Sequence, residues 1–378
     1  ARAPCDSISL GQLLRGTRPD PASLVKAGDW LQKQLPVRFA RRIEDFLQLP
    51  HVVVSNPNFN NILHTYLETF DVIHSFGEVQ TTDNVEQFRE LISSQLAKHG
   101  DGTRLIAEGY RQVQTMFPNI VLDKFLHDLF TTRIATRILM ENFASMHAPK
   151  EGYIGIVRKG MRPLSIVQGL ASDLTRLTTN VYGQSPEVEY RGNLDCTLDY
   201  IPRHFSYMVQ EVLKNALRAT VERQRSRSFN SFGDLPPVTV ELQKGDVHVI
   251  IKISDQGGGM SKKVQREAWT YGWTTAGEDE IEATPNDTAL LMGREDAHLK
   301  TELAGFGMGL PLTRLHAQYF GGDVFMQALP GHGTDMYLLL THLKEGSAST
   351  EIEDLATLLE TGGSNGHGRA SPGVPLES

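Results

Sequence analysis

Residues 211–220 read Glu211-Val212-Leu213-Lys214-Asn215-Ala216-Leu217-Arg218-Ala219-Thr220. At about 100° per residue, Glu211, Asn215, Arg218 and Glu222 fall within a sector of about 60°, and Phe205, Val209, Val212 and Ala216 fall opposite. This predicts a helix over 202–225 with one packed face and, on the other, a carboxylate, an amide oxygen and a guanidinium in a row. Alone, such a face is an ordinary solvated stripe. Three later elements change its meaning. Asp255-Gln256-Gly257-Gly258-Gly259 follows directly on an alternating strand. An Asp there can accept a hydrogen bond from an exocyclic amine, and the glycines let a flat ring approach the backbone. Gly305-Phe306-Gly307-Met308-Gly309-Leu310-Pro311 leads into a helix over 309–320, offering unpaired N–H groups and a positive dipole end to a phosphate. The spacing is not a Walker motif, and no Rossmann-type strand runs directly into it. Gly333-Thr334 sets a hydroxyl at the tip of the last hairpin. Each element is weak singly, but in this order they describe one nucleotide site.

The surrounding pattern predicts an α/β sandwich. Val238, Val240 and Leu242 alternate with polar residues, Lys244-Gly245-Asp246 turns the chain, and Val247, Val249, Ile251 and Ile253 alternate again, which is a hairpin with one buried face. A second hairpin runs from Asp323 to Leu329, through Pro330-Gly331-His332-Gly333, to 334–343. Helices at 163–181, 202–225 and 309–320 would cover one face of the mixed sheet. Before about residue 150 the period is helical throughout, with segments at 23–48, 58–75, 84–98, 103–116 and 121–147 broken by Pro50, Pro57, Gly77, Gly100 and Pro118. The expected organisation is α+β: an N-terminal segment 1–22, a helical bundle 23–150, a nucleotide domain 151–345 and a tail 346–378.

The 378 residues carry 37 Lys and Arg against 45 Asp and Glu, a net charge of −8. An acidic balance speaks against nucleic acid as the main partner, since phosphate neutralisation needs clustered bases. Most of the deficit is local. Residues 277–303 hold eight acids and two bases without a clear period and read as a mobile lid, while the Gly-rich acidic stretch 346–378 reads as disordered. Cys5 and Cys196, far apart, fit a reducing compartment rather than a disulfide scaffold. No apolar run approaches the roughly 18–20 residues of a membrane span. The chain opens at Ala1 without a charged-then-apolar leader, as expected where a targeting segment has been removed.

The ordered set of helix, Asp-loop, glycine-led helix and Gly-Thr hairpin resembles the GHKL ATPase superfamily, with its Bergerat-type α/β sandwich. More specifically, Leu35-Pro36-Val37-Arg38-Phe39-Ala40-Arg41-Arg42-Ile43, Arg133-Ile134-Ala135-Thr136-Arg137-Ile138-Leu139, Lys214 to Thr220, Thr274-Thr275-Ala276 and 303–310 resemble the signatures of the mitochondrial 2-oxoacid dehydrogenase kinases. The resemblance covers about residues 23–343. It implies transfer of phosphate from ATP to serine on the decarboxylase component of a pyruvate or branched-chain complex, inactivating that complex in the mitochondrial matrix. It further implies Asn215 on Mg2+, Asp255 on adenine, and Gly257 and Gly259 lining the pocket. Thr274 and Thr275 would touch the nucleotide, Gly305, Gly307, Met308, Gly309 and Leu310 would cap the phosphates under the lid, and Arg218 and Thr334 would complete the nucleotide contacts. Glu211 would be the general base. A potassium ion beside the nucleotide would lie near Trp273 and Gly307. Docking on the lipoyl domain of the acyltransferase core, through the bundle, and a homodimer are implied too. Two departures stand out. Tyr207 occupies the position, four residues before the base, where pyruvate-type kinases carry His and the branched-chain kinase carries Tyr, and the tail lacks the Asp-Trp motif with which pyruvate-type kinases cross between subunits.

Two other functions use the same residues differently. His127-Asp128-Leu129 with Thr131 and Thr132 is similar to the phosphoacceptor segment of a sensor histidine kinase, which would phosphorylate His127. In a chaperone-like or topoisomerase-like ATPase, Glu211 would activate water. His64, His74, His204 and His248 show no metal-ligand spacing and are expected to be satisfied locally. Arg218, Arg223, Arg225 and Arg227 form a basic run, either a solvated face or an attractor for acidic surface on a protein substrate.

Overall fold

The computed structural model describes residues 21–147, 150–227, 234–274 and 307–341. Residues 1–20, Thr275, Gly305, the expected lid at 277–303 and the expected tail at 346–378 lie outside the described residues.

The first half is helical: α1 (Pro21–Leu47), α2 (His51–Val54), α3 (Pro57–Ser75), α4 (Thr82–Lys98), α5 (Gly102–Met116) and α6 (Asp123–Met146). Apart from the single turn α2, these are the five helices that the 3.6-residue period predicts. Two of them, α3 and α4, start with a side-chain cap. Asn56 accepts from the N–H groups of Asn58 and Phe59 with Pro57 in the first turn, and Thr81 accepts from the N–H of Asn84. The apolar faces meet in a core that fully buries Phe46, Phe59 and Phe88, and Phe46 meets Phe125 edge to face at 4.9 Å.

Arg133, from the quoted α6 segment, is buried in this core. Its guanidinium donates to the carbonyls of His99 at 2.6 Å and Gly100 at 3.1 Å and to Thr103 Oγ1 at 3.1 Å. The carbonyls of the turn that follows α4 thus gain side-chain partners.

The second half comprises β1 (Tyr153–Ile154), β2 (Val157–Met161), α7 (Pro163–Tyr182), β3 (Val188–Gly192), β4 (Leu198–Tyr200), α8 (Pro202–Arg227), β5 (Val238–Lys244), β6 (His248–Asp255), α9 (Lys262–Glu267), α10 (Gly309–Tyr319), β7 (Asp323–Leu329) and β8 (Gly333–Thr341). The main sheet has the order β3-β5-β6-β8-β7. Both predicted hairpins are present, β5 with β6 and β7 with β8, and β6 pairs antiparallel with β8 between them. The inward positions Val238, Val240, Leu242, Val249, Ile251, Ile253, Leu338 and Leu340 are buried. β3 adds a parallel edge to β5, and β1, β2 and β4 form a separate small antiparallel sheet; neither follows from the apolar pattern.

Two clusters among the described residues help to lock the two halves together. Glu141 of α6 receives Arg137 Nε and Arg203 Nη1 on one carboxylate oxygen, each at 2.8 Å, and so ties the bundle to the start of α8. At the second, Phe130 stacks on Tyr271 with centroids 5.7 Å apart, and Gly272, at φ +77°, lies so close to Tyr110 that a Cβ would sit 2.1 Å from its ring. No helix among the described residues is long and apolar enough to cross a membrane.

Candidate nucleotide and phosphotransfer site

Helix α8 is the spine of the site. Its expected packed face is confirmed: Phe205, Val209, Val212 and Ala216 are all buried. The opposite face is not the uniformly solvated stripe that the helical period predicts. Asn215 is exposed, and Arg218 and Glu222 are half-buried and ion-paired at 2.5 Å, but Glu211 is only 3% exposed. The reason is α10, whose first residue sits over the carboxylate. A Cβ on Gly309 would stand 2.3 Å from Glu211 Oε2. Lys214 closes the remaining side, its Nζ lying 2.8 Å from Oε1 and 2.9 Å from Oε2.

Asp255 ends β6 opposite Thr334 of β8. Its Oδ1 accepts from the N–H of Gly257 at 2.8 Å and of Thr334 at 3.3 Å, so both backbone bonds fall on one oxygen. Burial pushes its pKa up to about 6, against the opposing pull of those two N–H groups and of Arg223. Gly257 lies against α8: a Cβ there would be 2.5 Å from Ala219 Cβ. Gly259, at φ +62°, faces the end of β7, where a Cβ would be 2.1 Å from the Leu329 carbonyl. Both glycines are thus required by backbone approach, one to the helix and one to the hairpin.

Gly307, at φ +70°, accepts from the N–H of Gly272 at 3.0 Å and lies against the carbonyl of Trp273. The two residues named for a potassium ion are therefore adjacent. Met308 is buried, Leu310 half-buried and Thr274 exposed. α10 starts without a side-chain cap, so the N–H groups of Gly309 and Leu310 head the helix in the arrangement that attracts anions.

Along α8, Glu211 marks the Gly309 end and Ala219 the Gly257 end, eight residues and about 12 Å apart, the reach of a nucleoside triphosphate. Asn215 falls midway. Among the described residues no group of three or more His, Cys, Asp or Glu side chains could hold a metal ion by itself. Mg2+ needs few protein ligands when phosphate oxygens and water supply the rest, and the exposed amide of Asn215 offers one oxygen for such an ion.

In the basic run Arg225 is exposed and Arg218 and Arg223 are half-buried, each with a partner within the chain, and the side chain of Arg227 lies outside the described residues. Arg218 pairs with Glu222, Arg225 donates to the Tyr182 carbonyl at 2.8 Å, and Arg223 donates to the carbonyls of Gln256, Gly331 and His332. Arg223 therefore staples the Asp255 loop to the β7–β8 turn, a role without a sequence signal because its acceptors are backbone atoms. His204 is satisfied at long range, its Nδ1 lying 2.7 Å from Nδ1 of His316 in α10, and burial drives both imidazoles toward the neutral form, that of His316 down to about 3. His127 is exposed on α6, but Asp128, the acid that a phosphohistidine would use, is paired to Lys124 at 2.8 Å.

Comparison with known proteins agrees with this geometry in two stages. Residues 201–344 match the histidine kinase-, DNA gyrase B- and HSP90-like ATPases, which makes the second half an ATP-binding domain of that class. Residues 7–158 match the domain of mitochondrial branched-chain alpha-ketoacid dehydrogenase kinase. The chain is 30% identical over 342 residues to the mitochondrial [pyruvate dehydrogenase (acetyl-transferring)] kinase of Arabidopsis thaliana, covering 89% of this chain and 90% of that protein. It is 28% identical to the Schizosaccharomyces pombe kinase of the same name, over 92% of this chain and 96% of that protein. Human isozyme 4 is 28% identical, over 84% of this chain and 77% of that protein. The chain belongs to the mitochondrial 2-oxoacid dehydrogenase kinases, ATP-dependent protein serine kinases that join a helical domain to a GHKL ATPase domain.

Proposed function

We propose that this protein transfers the γ-phosphoryl group of MgATP to a serine of the decarboxylase component of the pyruvate dehydrogenase complex, in the mitochondrial matrix, and thereby switches that complex off. The observation that carries the reading is the burial of Glu211 beneath the N-terminus of α10, one helical turn before Asn215. In this reading the adenine amine donates to Asp255 Oδ2. The phosphates would meet the N–H groups of Gly309 and Leu310, and Asn215 would hold a magnesium ion, which would neutralise phosphate charge. The serine Oγ proton passes to a Glu211 oxygen while Oγ bonds to the γ-phosphorus and the bond to the β,γ-bridging oxygen breaks, with ADP leaving on that electron pair. A serine hydroxyl is a weak nucleophile at neutral pH, so a positioned carboxylate contributes through general base catalysis, and the rest is positioning and charge neutralisation.

Gly307 and the Trp273 carbonyl would hold potassium, the helical half would dock on the lipoyl domain of the acyltransferase core, and the open sheet face around Ile250, Phe325, Tyr337 and Leu339 suits a homodimer. In the same reading the helical domain spans residues 23–150 and the nucleotide domain residues 151–345. Tyr207 in place of His favours the branched-chain complex as a second candidate substrate. Incubating the protein with labelled ATP and purified decarboxylase components of both complexes tests the choice. Acid-stable label on the pyruvate-specific component is the expected result. Label on the branched-chain component alone would reassign the substrate, and acid-labile label on the kinase itself would favour His127.

A further inference from the structure

Glu211 is a carboxylate almost wholly removed from water, and among the described residues the hydrogen bonds to it come from a single side chain. The Lys214 ammonium reaches Oε1 at 2.8 Å and Oε2 at 2.9 Å, and Oε2 is pressed on its other side by Gly309. An ion pair at i,i+3 on a helix is usually a solvated ornament worth about 0–1 kcal/mol. This one differs in exposure: the Glu211 side chain is 4% exposed and that of Lys214 24%. A carboxylate so enclosed needs a charge partner, and contact with both oxygens also fixes rotation about the last side-chain bond, which a single hydrogen bond would leave open. Lys214 lies between Glu211 and Asn215 in sequence, with its ammonium at the phosphate end of the site.

We propose that Lys214 is a positioning residue for phosphoryl transfer, clamping both Glu211 oxygens so that the carboxylate meets the serine hydroxyl as a fixed, charged acceptor. The proposal rests on the assignment of Glu211 as the base. Each carboxylate oxygen has two lone-pair sites, so the clamp leaves acceptor capacity for the incoming proton.

The test uses the full chain with MgATP and the pyruvate dehydrogenase decarboxylase component, comparing Lys214→Met, Lys214→Arg, Glu211→Gln and the double variant Glu211→Gln/Lys214→Met. Nucleotide affinity is read separately with a fluorescent ATP analogue, which also reports that the domain is folded. Lys214→Met is expected to lower kcat by about 100-fold, the cost of a catalytic group displaced by about 1 Å, with nucleotide Kd and substrate KM little changed. Lys214→Arg, which keeps the cation, is expected to recover most of that loss, and the double variant to be no slower than Glu211→Gln alone. Unchanged kcat in Lys214→Met overturns the proposal. So does a loss that saturating ATP restores, which would make Lys214 a phosphate ligand, or a further loss in the Glu211→Gln background. The Glu211→Gln single variant judges the base assignment by itself: inactive Glu211→Gln beside fully active Lys214→Met defeats only the Lys214 proposal.

Discussion

Gly309→Ala separates the stability of this site from its chemistry. Gly309 opens α10 without a positive φ, so Ala is conformationally allowed there, and helix propensity alone would favour it by up to about 1 kcal/mol. The added methyl would, however, stand 2.3 Å from Glu211 Oε2, whereas non-bonded heavy atoms settle at about 3.5 Å. The carboxylate must therefore retreat by about 1 Å. As the far end of a side chain it can do so without breaking the core, but it then leaves the position set by Lys214 and α10. A displacement of about 1 Å at a reacting group costs on the order of 100-fold in rate. The expected outcome is a melting temperature close to that of the wild type and a kcat reduced by about 100-fold at saturating MgATP in a steady-state assay with the decarboxylase component. Wild-type kcat in Gly309→Ala would refute the placement of the reacting carboxylate beneath α10.

Three further outcomes follow from the adenine end. Asp255 has its folded pKa raised from 3.8 to about 6, so its contribution to stability is fully present below pH 4 and is lost as pH rises through 6; the stability difference between wild type and Asp255→Asn in the absence of nucleotide should change across that window and be flat above it. Because the adenine amine needs an ionised acceptor, ATP affinity of the wild type should fall below about pH 6, and titration calorimetry at pH 5 and 7.5 measures it. Arg223→Ala removes donors to the carbonyls of Gln256, Gly331 and His332. Chemical denaturation should register a loss of about 1–3 kcal/mol, with weaker ATP binding because the Asp255 loop is no longer tied to the β7–β8 turn.

The parts of the fold that were legible in the sequence are those whose partners lie on the same element or across one turn. The five long bundle helices announce themselves by period and by the Pro and Gly breaks between them, and both hairpins by alternation on either side of a turn. β3 was not legible: Val188-Glu189-Tyr190-Arg191-Gly192 hardly alternates and pairs in parallel with a strand some fifty residues later. The site divides in the same way. Residue types and order pointed to Glu211, Asn215, Asp255 and the glycines. The burial of Glu211 depends on a helix that begins at Gly309, and the helical wheel of α8 contains no trace of it. The partners of Arg223 were not legible because a wheel counts charges, whereas they are backbone carbonyls, and that of His204 because His316 is on another helix.

The most direct measurement is a paired one on Glu211→Gln: nucleotide binding and phosphoryl transfer in the same preparation. Glutamine keeps the size of the side chain and removes its capacity to take a proton. The account predicts ATP affinity close to that of the wild type with transfer to the decarboxylase component reduced by about 100-fold or more. Transfer at a rate comparable to wild type, with nucleotide bound, would contradict the assignment of Glu211 as the base.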